Sequence, residues 1–299
     1  MRAIFLSVVV AIVLLLSQPS ASAQDGALPP DTSFNSTAGR GDIIWIKLTS
    51  DTSEEYNFGL DTGATVTVLD KSWEGKLEHR PSKRIVGSRW PISGVFAAPP
   101  LYLGSVRLLT ADKVVTEDLA AHFPGRSVAG ILGMDCLGHY CLQLDFVENK
   151  LRFLESSRIG EQELGKAFPL TELRGCFFVN DNVAGISGVQ SLIDTGCNFD
   201  GVLAPPLFRQ WTNQPAANAG TVDVGAHYPD GILGGVAYTK LYLAGDGEQN
   251  LIGLHFLARN LVTLNFPGRM LYLLQRSAGP SPGEENYFGR FYKNTFQTH

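Results

Sequence analysis

An apolar run that ends in Asp-Thr-Gly occurs twice in this chain, at Asp61-Thr62-Gly63 and at Asp194-Thr195-Gly196, and each copy holds the same place in a longer repeat. Repetition constrains the fold strongly, because a duplicated segment must adopt one design twice and bury its apolar faces the same way in both copies. In the first copy Arg40-Gly41 opens an apolar run (Ile43, Ile44, Trp45, Ile46). A polar turn covers 49–55, and the chain returns through Asn57-Phe58-Gly59-Leu60 into Asp61. In the second, Arg174-Gly175 opens Cys176-Phe177-Phe178-Val179, the chain turns at 180–182, and it returns through Ser191-Leu192-Ile193 into Asp194. Farther on, 131–137 and 142–146 match 251–257 and 262–266 at an offset of 120 residues, bringing Gly133 into correspondence with Gly253.

These landmarks predict two lobes of one design, 38–157 and 165–275, with 161–169 as the connecting stretch. Short alternating strands separated by Gly-, Asn- and Pro-rich turns predict an all-β class, with one short helix per lobe following each second glycine landmark. Gly231-Ile232-Leu233-Gly234 competes with Gly253 for that role, but only Gly253 is followed by a helix-then-strand pattern. From Asp61 to Gly133 the first lobe spends 72 residues, and from Asp194 to Gly253 the second spends 59. Residues 24–37 read as a flexible lead-in, and 276–299 as an aromatic-rich C-terminal tail.

Composition narrows the function classes. Hydrophobic residues are 44% and charged residues 18% of the 299, enough apolar surface for a core and too little charge for a disordered chain. A net charge of −5 offers no basic field for phosphates, so nucleic acid is not an expected partner. Residues 1–23 have the layout of a signal peptide: Arg2, an apolar run from Ala3 to Leu16, then Ala21-Ser22-Ala23. The expected location is therefore exported, secreted or periplasmic, with no membrane association after signal removal. Cys136, Cys141, Cys176 and Cys197 are an even number for an oxidising space, and one or two disulfides or a set of structural thiols are open readings. No metal and no cofactor is inferred. Arg40-Gly41-Asp42 reads as the lead into a strand, since its repeat counterpart Arg174-Gly175-Cys176 fills the same slot without the acid.

An Asp at the end of a buried strand is expensive unless it is paired or functional. Two of them brought together by the repeat would share one proton, because like charges in a low-dielectric cleft cannot both ionise comfortably. Such a pair activates a water with one member and protonates a carbonyl oxygen with the other. Asp61 and Asp194 are the candidate catalytic residues. Thr62 and Thr195 suit cross-linking of the two loops, and Gly63 and Gly196 allow close backbone approach.

With these residues the chain resembles the aspartic peptidase superfamily, both its two-lobed pepsin-like and its retropepsin-like members. Residues 58–69, Phe-Gly-Leu-Asp-Thr-Gly-Ala-Thr-Val-Thr-Val-Leu, are similar to the retropepsin pattern, and Val128 to Asp135 to the family's second, glycine-bearing element. The resemblance implies a two-lobed acid-protease β-barrel fold with pseudo-twofold symmetry, a monomer cleaving a peptide or protein substrate, and a flap. Arg84 to Val95 is the flap candidate, with Gly87, Trp90 and Gly94 as its substrate-facing residues. Ala64 and Cys197 stand where pepsin-like enzymes usually carry Ser or Thr. The rival readings are a non-catalytic peptide-binding or scaffold protein of the same fold, and a protease whose second lobe is only structural.

Overall fold

The computed structural model describes residues 27–80, 94–158, 164–186, 188–212, 230–245 and 248–280. The first repeat carries β1 (Thr32–Ser33), β2 (Trp45–Thr49), β3 (Glu55–Leu60), β4 (Val68–Asp70), β5 (Gly94–Ala97), β6 (Tyr102–Leu103), β7 (Val106–Arg107), β8 (Lys113–Glu117), α1 (Leu119–His122), β9 (Gly130–Leu132), α2 (Met134–Leu137), β10 (Cys141–Asp145) and β11 (Lys150–Leu154). The second carries β12 (Lys166–Leu173), β13 (Cys176–Val179), β14 (Ser191–Asp194), β15 (Gly201–Val202), α3 (Pro205–Thr212), β16 (Gly231–Leu233), β17 (Val236–Tyr238), β18 (Leu243–Ala244), β19 (Asn250–Gly253), α4 (Leu254–Leu257), β20 (Asn260–Asn265) and β21 (Met270–Gln275). Strand covers 41% and helix 13% of the described residues, which are mostly β as the turn-rich, alternating pattern requires. In β11, for example, Leu151 and Phe153 point inward while Lys150, Arg152 and Leu154 are less buried, the period of two expected of a half-buried strand.

The repeat read in the sequence recurs in the strand pairing. One eight-stranded sheet contains the run β2-β3-β9-β4-β8, and an eleven-stranded sheet contains β13-β14-β19-β15-β18. In both runs the strand that ends at the Asp pairs parallel with the strand leading to the second glycine: Leu60 lies opposite Leu132, and Asp194 opposite Gly253. Gly231–Leu233 instead forms a hairpin with Val236–Tyr238, so Gly253 is the true counterpart of Gly133. Arg174 and Gly175, both at positive φ of 52° and 82°, make the tight hairpin turn between β12 and β13.

Several features depart from the sequence reading. The two large sheets are open, with β5 and β7 as the edges of one and β1 and β18 of the other, and no pairing among the described residues closes either into the expected barrel. Barrel closure needs tilt and stagger to agree around the whole ring, which is a tertiary condition that strand patterning does not encode. The two halves are not separate sheets either: β10 of the first repeat pairs with β20 of the second, Gln143 opposite Thr263. Those two residues are repeat equivalents, so the antiparallel pairing is symmetric about them, and Gln143 Nε2 donates to Thr263 Oγ1 at 3.1 Å. The lead-in is docked from Thr32–Ser33, which pairs with β11, and Phe34 is buried. Part of the connecting stretch is strand, Lys166 to Pro169 pairing with β21. Besides the short helices α2 and α4 after the glycine landmarks, the described residues hold two more α-helices and two 3-10 helices, Lys71–Lys76 and Ser156–Arg158. Asp118 caps α1 by accepting from Ala121 N at 3.2 Å, and Pro205 begins α3, a position where its missing N–H costs nothing. The four cysteines are all buried thiols, and none is joined in a disulfide among the described residues. The signal segment and the aromatic tail beyond 280 lie outside the described residues.

The core is continuous across both repeats, from Ile44, Phe58 and Leu132 to Ile193, Ile252 and Leu264. Within it sits one fully buried ion pair: Arg259 donates to Asp200 Oδ2 at 2.7 Å and to the carbonyl of Thr239 at 2.8 Å. Asp200 Oδ2 also accepts from Tyr242 N at 2.7 Å, tying together the loops of the second repeat. Removing one partner strands the other charge in the interior, so Arg259→Met should lower unfolding free energy by about 3–5 kcal/mol. Urea denaturation should show a reduced midpoint with an unchanged slope.

Candidate active site

Asp61 and Asp194 arrive at the same place because each terminates a central strand flanked by the same neighbours. Asp61 N donates to Leu132 O at 3.0 Å, which continues the β3-β9 pairing into the loop. Beyond each glycine landmark the chain crosses back over the Asp-Thr-Gly loop. Met134 N donates to Ala64 O and Leu254 N to Cys197 O, both at 2.8 Å. A Cβ on Gly133 would lie 2.4 Å from Val66 O, and one on Gly253 2.2 Å from Phe199 O. Only glycine permits this crossing, which accounts physically for the second landmark.

The loops are locked to each other reciprocally. Thr62 N donates to Thr195 Oγ1 at 3.0 Å and Thr195 N donates to Thr62 Oγ1 at 3.1 Å. Each hydroxyl then donates across the gap, Thr62 Oγ1 to Ile193 O at 2.7 Å and Thr195 Oγ1 to Leu60 O at 2.9 Å. All four groups are buried, so water cannot replace these bonds, and the cross-linking role read for the two threonines is what they perform. Gly63 and Gly196 bring each backbone against the opposite carboxyl. A Cβ on Gly63 would stand 2.7 Å from Asp194 Cγ, and one on Gly196 2.6 Å from Asp61 Cγ.

The carboxyls are 1% and 0% exposed and lie within hydrogen-bond reach of each other. Asp61 Oδ1 accepts from Gly63 N at 2.8 Å and Ala64 N at 3.2 Å, and Asp194 Oδ1 from Gly196 N at 2.9 Å. Asp194 Oδ2 accepts no N–H or O–H hydrogen bond among the described residues, and the Asp61 carboxyl is the titratable group set against Asp194. Burial, followed by the charge of Asp194, holds Asp61 well above the usual carboxylate range, and burial also raises Asp194. The backbone amides oppose the shift without cancelling it. Cys176, whose Sγ donates to Gly63 O at 3.5 Å, is pushed up to about 12 by the same burial and by both carboxyls.

A cavity of about 30 Å³ opens beside the pair, lined by Asp61 and Gly196 together with Ala64, Ile43, Val68, Leu119, Phe123 and Ile131. Glu117 and His122 also line it, and the sequence reading missed both. The missed signal resembled the one that was used, since Val114-Val115-Thr116 is a buried run that ends in a carboxylate, but it occurs without a repeat partner. Glu117 is 6% exposed and lies 3.2 Å from His122 Nε2, and burial pushes it up to about 7. Of the flap candidates, Gly87 and Trp90 fall outside the described residues. Gly94 begins β5 and pairs with Thr116 of β8, next to Glu117.

No model of a known protein family matches the chain, and no curated protein matches it. The chemistry of the site is thus read from its own geometry. Two buried carboxyls facing each other, backed by amides and apolar walls, form a coupled acid–base pair that holds one proton over the range where a lone carboxyl would hold none.

Because the folded pair is raised, unfolded carboxyls release their protons first, and stability present at low pH is lost as pH rises through the folded values. Wild type should therefore weaken relative to Asp61→Asn between about pH 4 and about pH 7.5. Urea titrations at the two pH values give the comparison, and a difference that stays constant or reverses would remove the raised pKa.

Proposed function

We propose that the chain is an exported, monomeric aspartic endopeptidase with a two-lobed acid-protease fold, and that Asp61 and Asp194 are its catalytic pair. The single observation behind this reading is the reciprocal threonine lock, which holds two Asp-Thr-Gly loops with their buried carboxyls within hydrogen-bond reach of each other. The duplicated strand order around each Asp supports it.

In the singly protonated state the ionised carboxyl takes a proton from a water held between the two, and the water oxygen attacks the carbonyl carbon of the peptide bond. The protonated carboxyl gives its proton to the carbonyl oxygen. The tetrahedral intermediate then collapses with cleavage of the C–N bond, as the proton taken from water passes to the leaving nitrogen and the other carboxyl recovers its own. Apolar walls strengthen each of these transfers, because no bulk water competes for the protons.

Asp61→Asn and Asp194→Asn should each lower peptide hydrolysis by about a thousandfold or more while retaining the fold. Mass spectrometry of a mixed peptide library, with circular dichroism as the folding control, provides the measurement. Near wild-type turnover in Asp194→Asn would leave the second repeat structural. Peptide binding with no cleavage by wild type at any pH would favour the non-catalytic rival.

The amides of Gly63, Ala64 and Gly196 donate to the pair, whereas Ala64 has no hydroxyl to add and Cys197 has only a weak thiol donor. With that help absent, activity should lie in the mildly acidic to neutral range. The acidic limb of kcat/KM against pH should move to lower pH in the double variant Ala64→Ser with Cys197→Ser, because a hydroxyl donating to the ionised form lowers its pKa. A limb that stays in place or moves upward contradicts the proposal.

A further inference from the structure

We propose that Asp42 is a positioning residue for the substrate cleft, clamping Arg126 and Trp45 so that the 119–126 segment keeps its Phe123 ring against the cavity beside Asp61. The inference rests on the peptidase reading and identifies what shapes the substrate side of the same site.

Asp42 closes the Arg-Gly-Asp sequence before β2, and its carboxylate gathers donors from three stretches of chain. Its Oδ1 accepts from Ile43 N at 3.0 Å and from Trp45 Nε1 at 2.8 Å. Its Oδ2 accepts from Asn35 Nδ2 at 3.1 Å, from Thr37 Oγ1 at 3.0 Å and from the Arg126 guanidinium. Asn35 ties the same knot from the other side, with Nδ2 donating to Ile43 O at 3.1 Å and Oδ1 accepting from Trp45 N at 2.8 Å. A strand lead needs none of these bonds, and the repeat counterpart Cys176 has no carboxylate to make them. Bonds to an ionised acceptor are also the strong ones, which makes Asp42 the centre of the knot.

Arg126 carries the restraint to the cleft. Its guanidinium lies 4.8 Å from the centroid of the Trp45 ring, so Asp42 holds the indole both through Nε1 and through the cation stacked on it. Phe123 meets the same indole at 88°, with ring centroids 5.0 Å apart. Within the segment Phe123 N donates to Leu119 O at 3.0 Å and Arg126 N to Phe123 O at 3.1 Å, so it moves as one short coil of chain. Its start is anchored by Leu119 N on Asp70 Oδ2 at 3.1 Å, and its end by Arg126 on Asp42. Leu119 and Phe123 from this segment, and Ile43 from beside Asp42, line the cavity. At about 30 Å³ the cavity has room for about two waters, so it fits a group the size of a methyl and excludes an aromatic ring unless Phe123 gives way.

The test uses the full-length mature protein and matched peptides that differ only in carrying Ala or Phe at each position flanking the cleaved bond. In wild type kcat/KM for Ala should exceed that for Phe by about tenfold or more at one of the two positions. Asp42→Asn keeps an acceptor for Ile43 N and Trp45 Nε1 but loses the charge facing Arg126, and Arg126→Met keeps the stem without the cation. Each should lower the Ala-to-Phe ratio by about threefold or more, through KM more than kcat. The double variant should lower it no further, because both changes open one clamp. Hydrogen exchange at the Phe123 and Arg126 amides should quicken by about threefold or more in each variant, while the Gly63 and Gly196 amides keep their protection. Circular dichroism reports folding, and should Asp42→Asn not fold, Arg126→Met at its 38% exposed side chain decides alone. A wild type that cleaves Phe as well as Ala at both positions, a ratio or an exchange rate unmoved by the variants, or losses that add in the double variant overturn the clamp and leave the peptidase reading standing. If wild type cleaves none of the peptides, or Asp61→Asn cleaves them equally well, the peptidase reading fails and takes this inference with it.

Discussion

Two carboxyls buried face to face repel one another unless they share a proton, and any slack in the backbone would let them separate. The reciprocal hydrogen bonds of Thr62 and Thr195 remove that slack. Each hydroxyl accepts from the opposite loop and donates to the strand behind it, so neither loop can shift without breaking two buried bonds in both directions. Much else in the molecule serves this contact. The parallel strands β9 and β19 hold the ends of β3 and β14, and the glycines at 133 and 253 let the chain cross over each loop.

A second symmetric contact lies in the sheet shared by the repeats. Pairing of β10 with β20 about Gln143 and Thr263 joins equivalent strands of the two halves. A rigid shared sheet and a rigid loop lock fix two points of one arrangement. Relative motion of the halves is thereby opposed where the carboxyls need a constant separation.

Away from these contacts the halves diverge, and the divergence has chemical content. Thr67 donates to Asp135 Oδ1 at 2.8 Å in the first repeat, whereas the second has Asp200 with Arg259. His255 stands at the position equivalent to Asp135 and accepts from Gly41 N at 3.1 Å, tying the second repeat to the loop before β2. The cavity is asymmetric too, since Glu117 and His122 come from the longer first repeat alone. A symmetric acid pair thus faces an asymmetric wall.

The sequence by itself determined the repeat, the mostly β character, the two Asp-Thr-Gly loops, the threonine cross-link and the choice of Gly253 over Gly234. Each is carried by local spacing: an apolar strand running into Asp, or a glycine where a second backbone must pass. Tertiary structure alone decided the open sheets, the strand sharing between halves, the docking of the lead-in at Thr32–Ser33 and the burial of all four cysteines as thiols outside any disulfide among the described residues. It also decided that Glu117 shares a cavity with Asp61, although 56 residues separate them. Strand periodicity specifies which face of a strand is buried but not which strand lies beside it, and the neighbours of a buried carboxylate are set by that second choice.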